Sequence, residues 1–166
     1  FPKTYWQFCD RLCQRGVNVL GIGDTPYENL DWQLKNALTE YYRVDNMEDY
    51  AQVYRAVAYF SFHYGKPDWL ESNNEYWLEQ DARLRTDFHI TTGVQLHEID
   101  GWKHKSAMKP FYAKAGVPTA RSHKVTTLTR AKNFIAKNGG YPVFVKPDMG
   151  VGAADSWKID NEEELK

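Results

Sequence analysis

The sequence predicts an α/β protein in two parts, and two observations carry this prediction. Over the first hundred residues, amphipathic helices alternate with short apolar strands joined by brief turns, a pattern typical of stacked βαβ units on a parallel sheet. After Gly93 the order of elements changes, and a smaller α+β region follows. A chain of 166 residues has room for two small domains. We place them at residues 1–98, a Rossmann-like domain, and 99–166.

The first helix is predicted from apolar residues at helical spacing between Tyr5 and Cys13, and Gly16 ends it. A strand over 17–20 follows. We interpret the next three residues, Gly21 to Gly23, as a tight turn between this strand and the following helix. Because the chain opens on a helix, we expect the strand that should precede it to be missing from this segment.

The rest of the first part continues the alternation. The predicted elements are a helix over 30–38, a short strand over 42–44, a helix over 50–64, a buried strand over 68–71 and a helix over 77–88.

The second part contains two predicted helices, each with a stop signal. The first runs from Met108 to Ala115 and ends at Gly116, and the second ends at 138–140. The other predicted elements are strands at Val125, 141–145 and 156–159, a loop over 147–154, and an acidic helix start over 160–164, where carboxylates favour the helix dipole. The last element is incomplete, so we expect truncation at both ends.

Composition excludes several classes of partner. The net charge of −1 provides no general basic field for nucleic acid or an anionic membrane. No apolar run approaches the roughly 20 residues that cross a bilayer. Cys9 and Cys13 are too few for a disulfide scaffold, and their spacing on a helix suits a bridge poorly. We interpret them as core thiols of a cytoplasmic protein.

The strongest local signal for chemistry is a lysine at the end of an apolar strand, followed by a loop of small residues. Lys146 ends the strand, and the loop runs from Gly150 to Ala154. Such loops expose backbone amides that can surround phosphate oxygens, while an ammonium supplies charge. The segment is not a Walker P-loop, because no Gly-Lys-Ser/Thr follows and the next element is a strand. A solvated lysine beside a plain hairpin remains the alternative.

A second basic segment lies upstream, on the helix that includes Lys105, Lys109 and Lys114. By pattern alone this is a solvated face. However, the segment from His104 to Pro118, with Lys105, Met108 and Ala115-Gly116-Val117-Pro118, resembles the Asp-Lys-x-x-Met…Ala-Gly-hydrophobic-Pro segment of ATP-grasp enzymes. Residues 140–154 are similar to that family's second lysine strand and phosphate loop. Residues 71–93 loosely resemble the end of the pre-ATP-grasp domain in members like the carbamoyl phosphate synthase large subunit.

The resemblance implies a role for particular residues. Lys105 matches the first family lysine, on the α-phosphate side of ATP, and Lys146 matches the second, close to the phosphates and adenine. The loop that closes over the β- and γ-phosphates matches Gly150, Val151, Gly152, Ala153 and Ala154. Two departures are His104, where the family usually has Asp or Arg, and alanine where many relatives carry serine. Backbone amides would then supply all of the loop's hydrogen bonds.

The resemblance also implies a fold and an activity: a Rossmann-like pre-ATP-grasp domain followed by the first, α+β ATP-grasp subdomain of a ligase. The complete enzyme would use ATP and Mg²⁺ to activate a carboxylate as an acyl phosphate, which an amine or similar nucleophile attacks. The adenine hinge and Mg²⁺ ligands are expected beyond residue 166, and a homodimer is left open. We assign no catalytic residue and no metal ligand, since the histidines lack metal-site spacing and Asp148 and Asp155 only flank the loop.

Two other functions stay open from the sequence. One is a non-catalytic binding or regulatory module with the ATP-grasp shape. The other is a Rossmann-type nucleotide-binding protein, for which Gly21-Ile22-Gly23 is weak support. A strand at 141–145, ahead of Lys146, that pairs antiparallel with 156–159 would favour ATP-grasp, whereas a helix directly after Gly152 would favour this rival.

Overall fold

The computed structural model describes residues 5–150 and 155–166, and the chain divides into two compact units, Phe1–Leu96 and His97–Lys166. The first unit contains helices α1 (Trp6–Cys13), α2 (Trp32–Ala37), α3 (Tyr50–Tyr64) and α4 (Leu78–Asp87), strands β1 (Leu20–Gly23) and β2 (Glu40–Arg43), and short 3₁₀ turns at Tyr27–Asn29 and Glu75–Trp77. The second contains α5 (Asp100–Lys103), α6 (Lys105–Lys114), α7 (Leu128–Lys137), β3 (Val143–Val145) and β4 (Trp157–Ile159). A 3₁₀ turn, Leu96–Glu98, spans the division between the units.

The sheet of the first unit is parallel, as the helix-strand alternation predicts. β1 pairs with β2 in a register from Leu20↔Glu40 to Gly23↔Arg43, and α2 connects the two strands in a βαβ unit. Within the described residues this sheet has two strands. The structure is therefore a mixed α/β fold with a small parallel sheet, and the assignment to a Rossmann-like pre-ATP-grasp domain stays a prediction.

The prediction that Gly21 to Gly23 form a turn is wrong, because both glycines lie inside β1. Neighbouring side chains explain why glycine stands there. A Cβ at Gly21 would lie 2.9 Å from a methyl group of Leu38, and one at Gly23 would lie 2.6 Å from the Tyr41 hydroxyl oxygen. The two glycines therefore serve close packing rather than a change of chain direction.

Helices α3 and α4 enclose one core cluster, built on Val53, Val57 and Leu84, with Ile22 of β1 packed against it. The boundaries of α3 follow from capping: the Asp49 side chain accepts a hydrogen bond from the Ala51 amide, and a glycine with positive φ follows the last residue. A second cluster joins α1 to α2 through Cys9, Leu34 and Ala37, together with Leu30 just before α2. This packing bears out the helical spacing of the apolar residues.

The predicted buried strand over 68–71 is wrong. The segment has no ladder partner among the described residues, and Trp69 is 60% exposed. It is instead fastened by side chains, since Leu70 O accepts from Arg85 Nε at 2.9 Å and Asp68 O accepts from the Thr92 hydroxyl. Apolar composition alone could not distinguish this arrangement from a strand.

A cavity of about 850 Å³ opens beside β1 in the first unit. Leu20 and Ile22 line one side of it, and Leu70 and Ser72 line another. In the described part of the chain, β1 pairs on one edge only. The expectation of a further strand before α1 remains a prediction.

In the second unit, β3 and β4 form an antiparallel pair from Val143↔Ile159 to Val145↔Trp157. This is the pairing that favours ATP-grasp over the Rossmann-type rival. The strand is less buried than predicted, since the Phe144 side chain is 73% exposed. Two other predictions are wrong: Val125 lies in irregular structure, and residues 160–164 form turns rather than a helix start, with the Asn161 side chain accepting hydrogen bonds from the Glu163 and Glu164 amides.

Both cysteines are free thiols, but only Cys9 is buried, so the prediction of two core thiols is wrong for Cys13. Burial raises the pKa of the Cys9 thiol. Among the helices of the described residues, none is long and apolar enough to cross a membrane.

Candidate phosphate-binding site

The candidate site lies at the start of α6, where the loop after β3 supplies the hydrogen bonds that a helix N-terminus needs. His104, the residue before α6, makes no side-chain cap. Instead the Lys105 amide donates to Asp148 O at 3.0 Å, and the Ser106 amide donates to Asp148 Oδ1 at 2.8 Å. The Ser106 hydroxyl donates to Asp148 Oδ2 at 2.9 Å. Asp148 therefore does for α6 what an N-cap residue normally does locally.

The Asp148 carboxylate is also paired with Lys124, and an imidazole nitrogen of His104 lies near it. Lys124 Nζ lies 3.0 Å from Oδ2, His104 Nδ1 lies 3.4 Å from the same oxygen, and the side chain is 24% exposed. The Ser106 amide, and then Lys124, hold the pKa of Asp148 well below its usual range. The carboxylate is consequently ionised at neutral pH and carries a charge that Lys124 offsets.

The Lys105 side chain reaches Gly150, the first residue of the glycine-rich segment. Its ammonium donates to Gly150 O at 3.2 Å, so its backbone and its side chain both contact the loop that follows β3. Gly150 has φ +149, which favours glycine. The contact joins the first predicted lysine to the first predicted loop residue, 45 positions later in the chain.

Lys146 directly follows β3 and is exposed. Strand alternation places it on the same face as Phe144. Among the described residues its ammonium has no hydrogen-bonded or ion-paired partner, so it is available to an anion. That the Lys105 and Lys146 ammonium groups reach one nucleotide stays a prediction.

The remaining predicted loop residues, Val151, Gly152, Ala153 and Ala154, lie outside the described residues. The described part of the loop ends at Gly150 and resumes at Asp155, which has φ +55. Because Val145 pairs with Trp157, the two ends of this connection are held by the β3–β4 ladder.

The geometry defines which groups can bind an anion here. A helix N-terminus is an ordinary phosphate site, but the first two amides of α6 already bond to Asp148. Charge for a phosphate must therefore come from lysine side chains. Lys109, on the same helix, is engaged elsewhere, since its ammonium donates to Ala120 O at 3.0 Å. Lys114, in the last turn, is exposed.

Sequence reasoning did not assign Ser106 or Lys124 to this cluster. It noted that Asp148 flanks the loop but missed its structural role. Ser106 and Asp148 are 42 positions apart, and Lys124 is 24 from Asp148. No local spacing signals contacts of that range. The described residues contain no group of three His, Cys, Asp or Glu side chains that could hold a metal ion.

Comparisons with known proteins give a likeness of fold. No protein-family model matches the chain, and no curated protein matches it. Three chains of solved structures match. One of them, an L-amino acid ligase from Bacillus licheniformis, is 17% identical with a TM-score of 0.66, and the match covers 95% of this chain and 37% of that ligase.

The chain thus spans little more than a third of the length of the ligase that it matches, and at 17% identity the likeness shows the fold. It does not single out members like the carbamoyl phosphate synthase large subunit.

Proposed function

We propose that this chain is the N-terminal part of an ATP-dependent ligase, in which it supplies phosphate-binding lysines and the glycine-rich loop. The observation that carries the proposal is the contact of Lys105 with Gly150, which joins the two motifs of the sequence at one place. The antiparallel β3–β4 pair and the fold of the Bacillus ligase support it further. The two units then correspond to a pre-ATP-grasp domain and a first ATP-grasp subdomain of a cytoplasmic enzyme.

In this proposal a carboxylate oxygen of the substrate attacks the γ-phosphorus of ATP, and the bond to the β–γ bridging oxygen breaks to release ADP. An amine or similar nucleophile then attacks the acyl phosphate carbon, loses a proton and expels inorganic phosphate. Lys105 and Lys146 would neutralise charge on the phosphate oxygens, which is where phosphoryl transfer needs stabilisation. They act as electrostatic partners and not as bases.

The nucleotide's metal ion would be held by other parts of the ligase. When bound, Mg²⁺ would supply positive charge that offsets the negative charge of the phosphates. The described residues hold no three-membered ligand group, so the proposal assigns this chain phosphate contacts alone. The binding sites for the acid and amine substrates would likewise lie in other parts of the ligase.

A matched pair of lysine substitutions tests the proposal in the complete ligase. Lys146→Ala should lower kcat/KM for ATP by about 100-fold, because a charge placed on the transferring phosphoryl group is lost. Lys114→Ala removes the same charge from the exposed last turn of α6 and should change it by less than about twofold. Equal losses in the two variants would remove Lys146 from the phosphate site.

The isolated 166-residue chain should bind ATP only weakly. Two lysine–phosphate hydrogen bonds contribute roughly 1.5–3 kcal/mol each before the loop's ordering entropy is subtracted. Micromolar affinity requires about 8 kcal/mol. Calorimetry should therefore give a dissociation constant of about 1 mM or weaker and no ATP hydrolysis, and low-micromolar binding would contradict this division of labour.

A further inference from the structure

We propose that Asp148 is a positioning residue, whose backbone and carboxylate fasten the glycine-rich segment to the first turn of α6 so that the Lys105 ammonium faces the triphosphate. This inference rests on the proposed function and deepens it. It concerns a residue that touches no substrate and acts through Lys105 and the loop.

The first turn of α6 depends on Asp148 for its negative partner. It carries no acidic residue and begins with Lys105, although the positive end of a helix dipole favours anions. His104, in extended conformation, contributes no side-chain cap. The Asp148 carboxylate is therefore the acceptor that completes the helix start, and it connects α6 to the segment just before Gly150.

The connection also restrains the loop. Asp148 is held by its backbone carbonyl and by both carboxylate oxygens. Only one residue, Met149, separates it from Gly150, and each residue spans at most about 3.6 Å. The Gly150 carbonyl therefore stays within reach of Lys105 Nζ, which already bonds to it. A phosphate oxygen that replaces this carbonyl would find the ammonium at the loop.

A carboxylate beside a triphosphate would repel it unless its charge were offset. Lys124 Nζ lies 3.0 Å from Asp148 Oδ2, and His104 Nδ1 approaches the same oxygen. The pair of Asp148 and Lys124 thus has no net charge. Asp148 can organise the loop without opposing the anion that the loop is proposed to bind.

Three variants test this inference, and Asp155→Asn serves as the matched control. Asp155 lies on the other side of the loop, is exposed, and has no hydrogen-bonded partner among the described residues. Asp148→Ala removes both carboxylate oxygens and keeps the backbone carbonyl. Asp148→Asn keeps one oxygen for the Ser106 amide, and Ser106→Ala removes only the hydroxyl donor. Amide hydrogen exchange in the 166-residue chain and ATP kinetics in the complete ligase are the two measurements.

In the exchange experiment, Asp148→Ala should accelerate exchange of the Ser106 amide about tenfold or more, because its hydrogen bond to the carboxylate is lost, whereas the Lys105 amide keeps its backbone acceptor and should change less. Asp148→Asn should restore most of the protection, since asparagine caps helices as well as aspartate does. Asp155→Asn should leave these amides unchanged. The inference would be overturned if the Ser106 amide stayed protected in Asp148→Ala. It would also be overturned if Asp148→Asn failed to restore that protection.

In the complete ligase, Asp148→Ala should lower kcat/KM for ATP about 30–100-fold, since misplacement of a binding group by about 1 Å has effects of this size. Asp148→Asn and Ser106→Ala should lie between it and the wild type, and the KM for the carboxylate substrate should stay within about threefold. Equal losses for ATP and carboxylate would mark a merely structural residue. If Lys146→Ala has no effect on ATP use by the ligase, the proposed function is contradicted. The exchange experiment tests the role of Asp148 separately, because it does not depend on ATP.

Discussion

Arg85 is the buried charge on which we expect the first unit to depend most. Its side chain is 2% exposed, and its guanidinium donates to three acceptors on two segments of the chain. These are Leu70 O at 2.9 Å, Val94 O at 3.1 Å and Glu71 Oε2 at 2.7 Å. We therefore predict that Arg85→Ala is strongly destabilising.

The magnitude follows from the three bonds. Two bonds to neutral carbonyls contribute about 0.5–1.5 kcal/mol each, and the bond to the carboxylate about 1.5–3 kcal/mol. Removing one member of a buried ion pair costs about 3–5 kcal/mol, in agreement with that sum. Domains are stable by about 5–15 kcal/mol, so the variant would lose a large part of its margin. Arg85→Lys should recover little, because one ammonium cannot reproduce the planar fork.

Urea unfolding followed by tryptophan fluorescence measures this loss, and Arg83→Ala on the same helix is the control. Arg83 is exposed and its guanidinium carbon lies 3.8 Å from the centre of the Tyr50 ring, so its loss should cost about 0.5–1 kcal/mol. Arg85→Ala should lower the free energy of unfolding by about 3–5 kcal/mol. A loss no greater than that of Arg83→Ala would refute the view that the guanidinium holds these segments together.

Two further predictions concern packing and protonation in the same unit. Gly23→Ala should destabilise by about 1–3 kcal/mol in calorimetry, because its Cβ would displace the Tyr41 hydroxyl from its bond to Thr25 O; an unchanged melting temperature would contradict this close packing. Asp81 is buried, and burial raises its pKa above the ordinary 3.8. In the folded state Asp81 therefore holds its proton more tightly than in the unfolded state. The stability that this provides is lost as the pH rises from the ordinary pKa through the raised one. Asp81→Asn should consequently gain stability relative to wild type as the pH rises above the ordinary pKa of 3.8 in urea unfolding, and a constant difference would argue against the raised pKa.

Periodicity was a sound guide to the helices and a weaker one to the strands. The predicted helix over 50–64 coincides with α3, because its apolar spacing and its Asp49 and Gly65 ends are all local signals. β1 instead lies three residues later than predicted, since Gly21 and Gly23 are in the strand for reasons of packing against Leu38 and Tyr41. Contacts with Leu38 and Tyr41, which lie far along the chain, cannot be predicted from the spacing of the two glycines.

Burial is likewise determined by contacts that are distant along the chain. The segment 68–71 has the composition of a strand, but no ladder partner lies beside it in the described residues. Burial of a strand depends on its neighbours, which composition does not specify. Arg85 shows the converse, because a charged residue is predicted from sequence to lie at the surface. Its burial is compensated by hydrogen bonds to Leu70, Glu71 and Val94.

At the candidate site, the sequence identified the two lysines as separate motifs, and the structure adds the residue that connects one of them to the loop. Lys105 begins a helix that has no acidic residue in its first turn, while Asp148 follows the second lysine by two positions. The carboxylate needs donors and the helix start needs an acceptor, so each satisfies the other across 42 positions. If the inference about Asp148 holds, folding of the second unit and placement of the Lys105 ammonium are one event, because the bonds that start α6 also set the position of the loop.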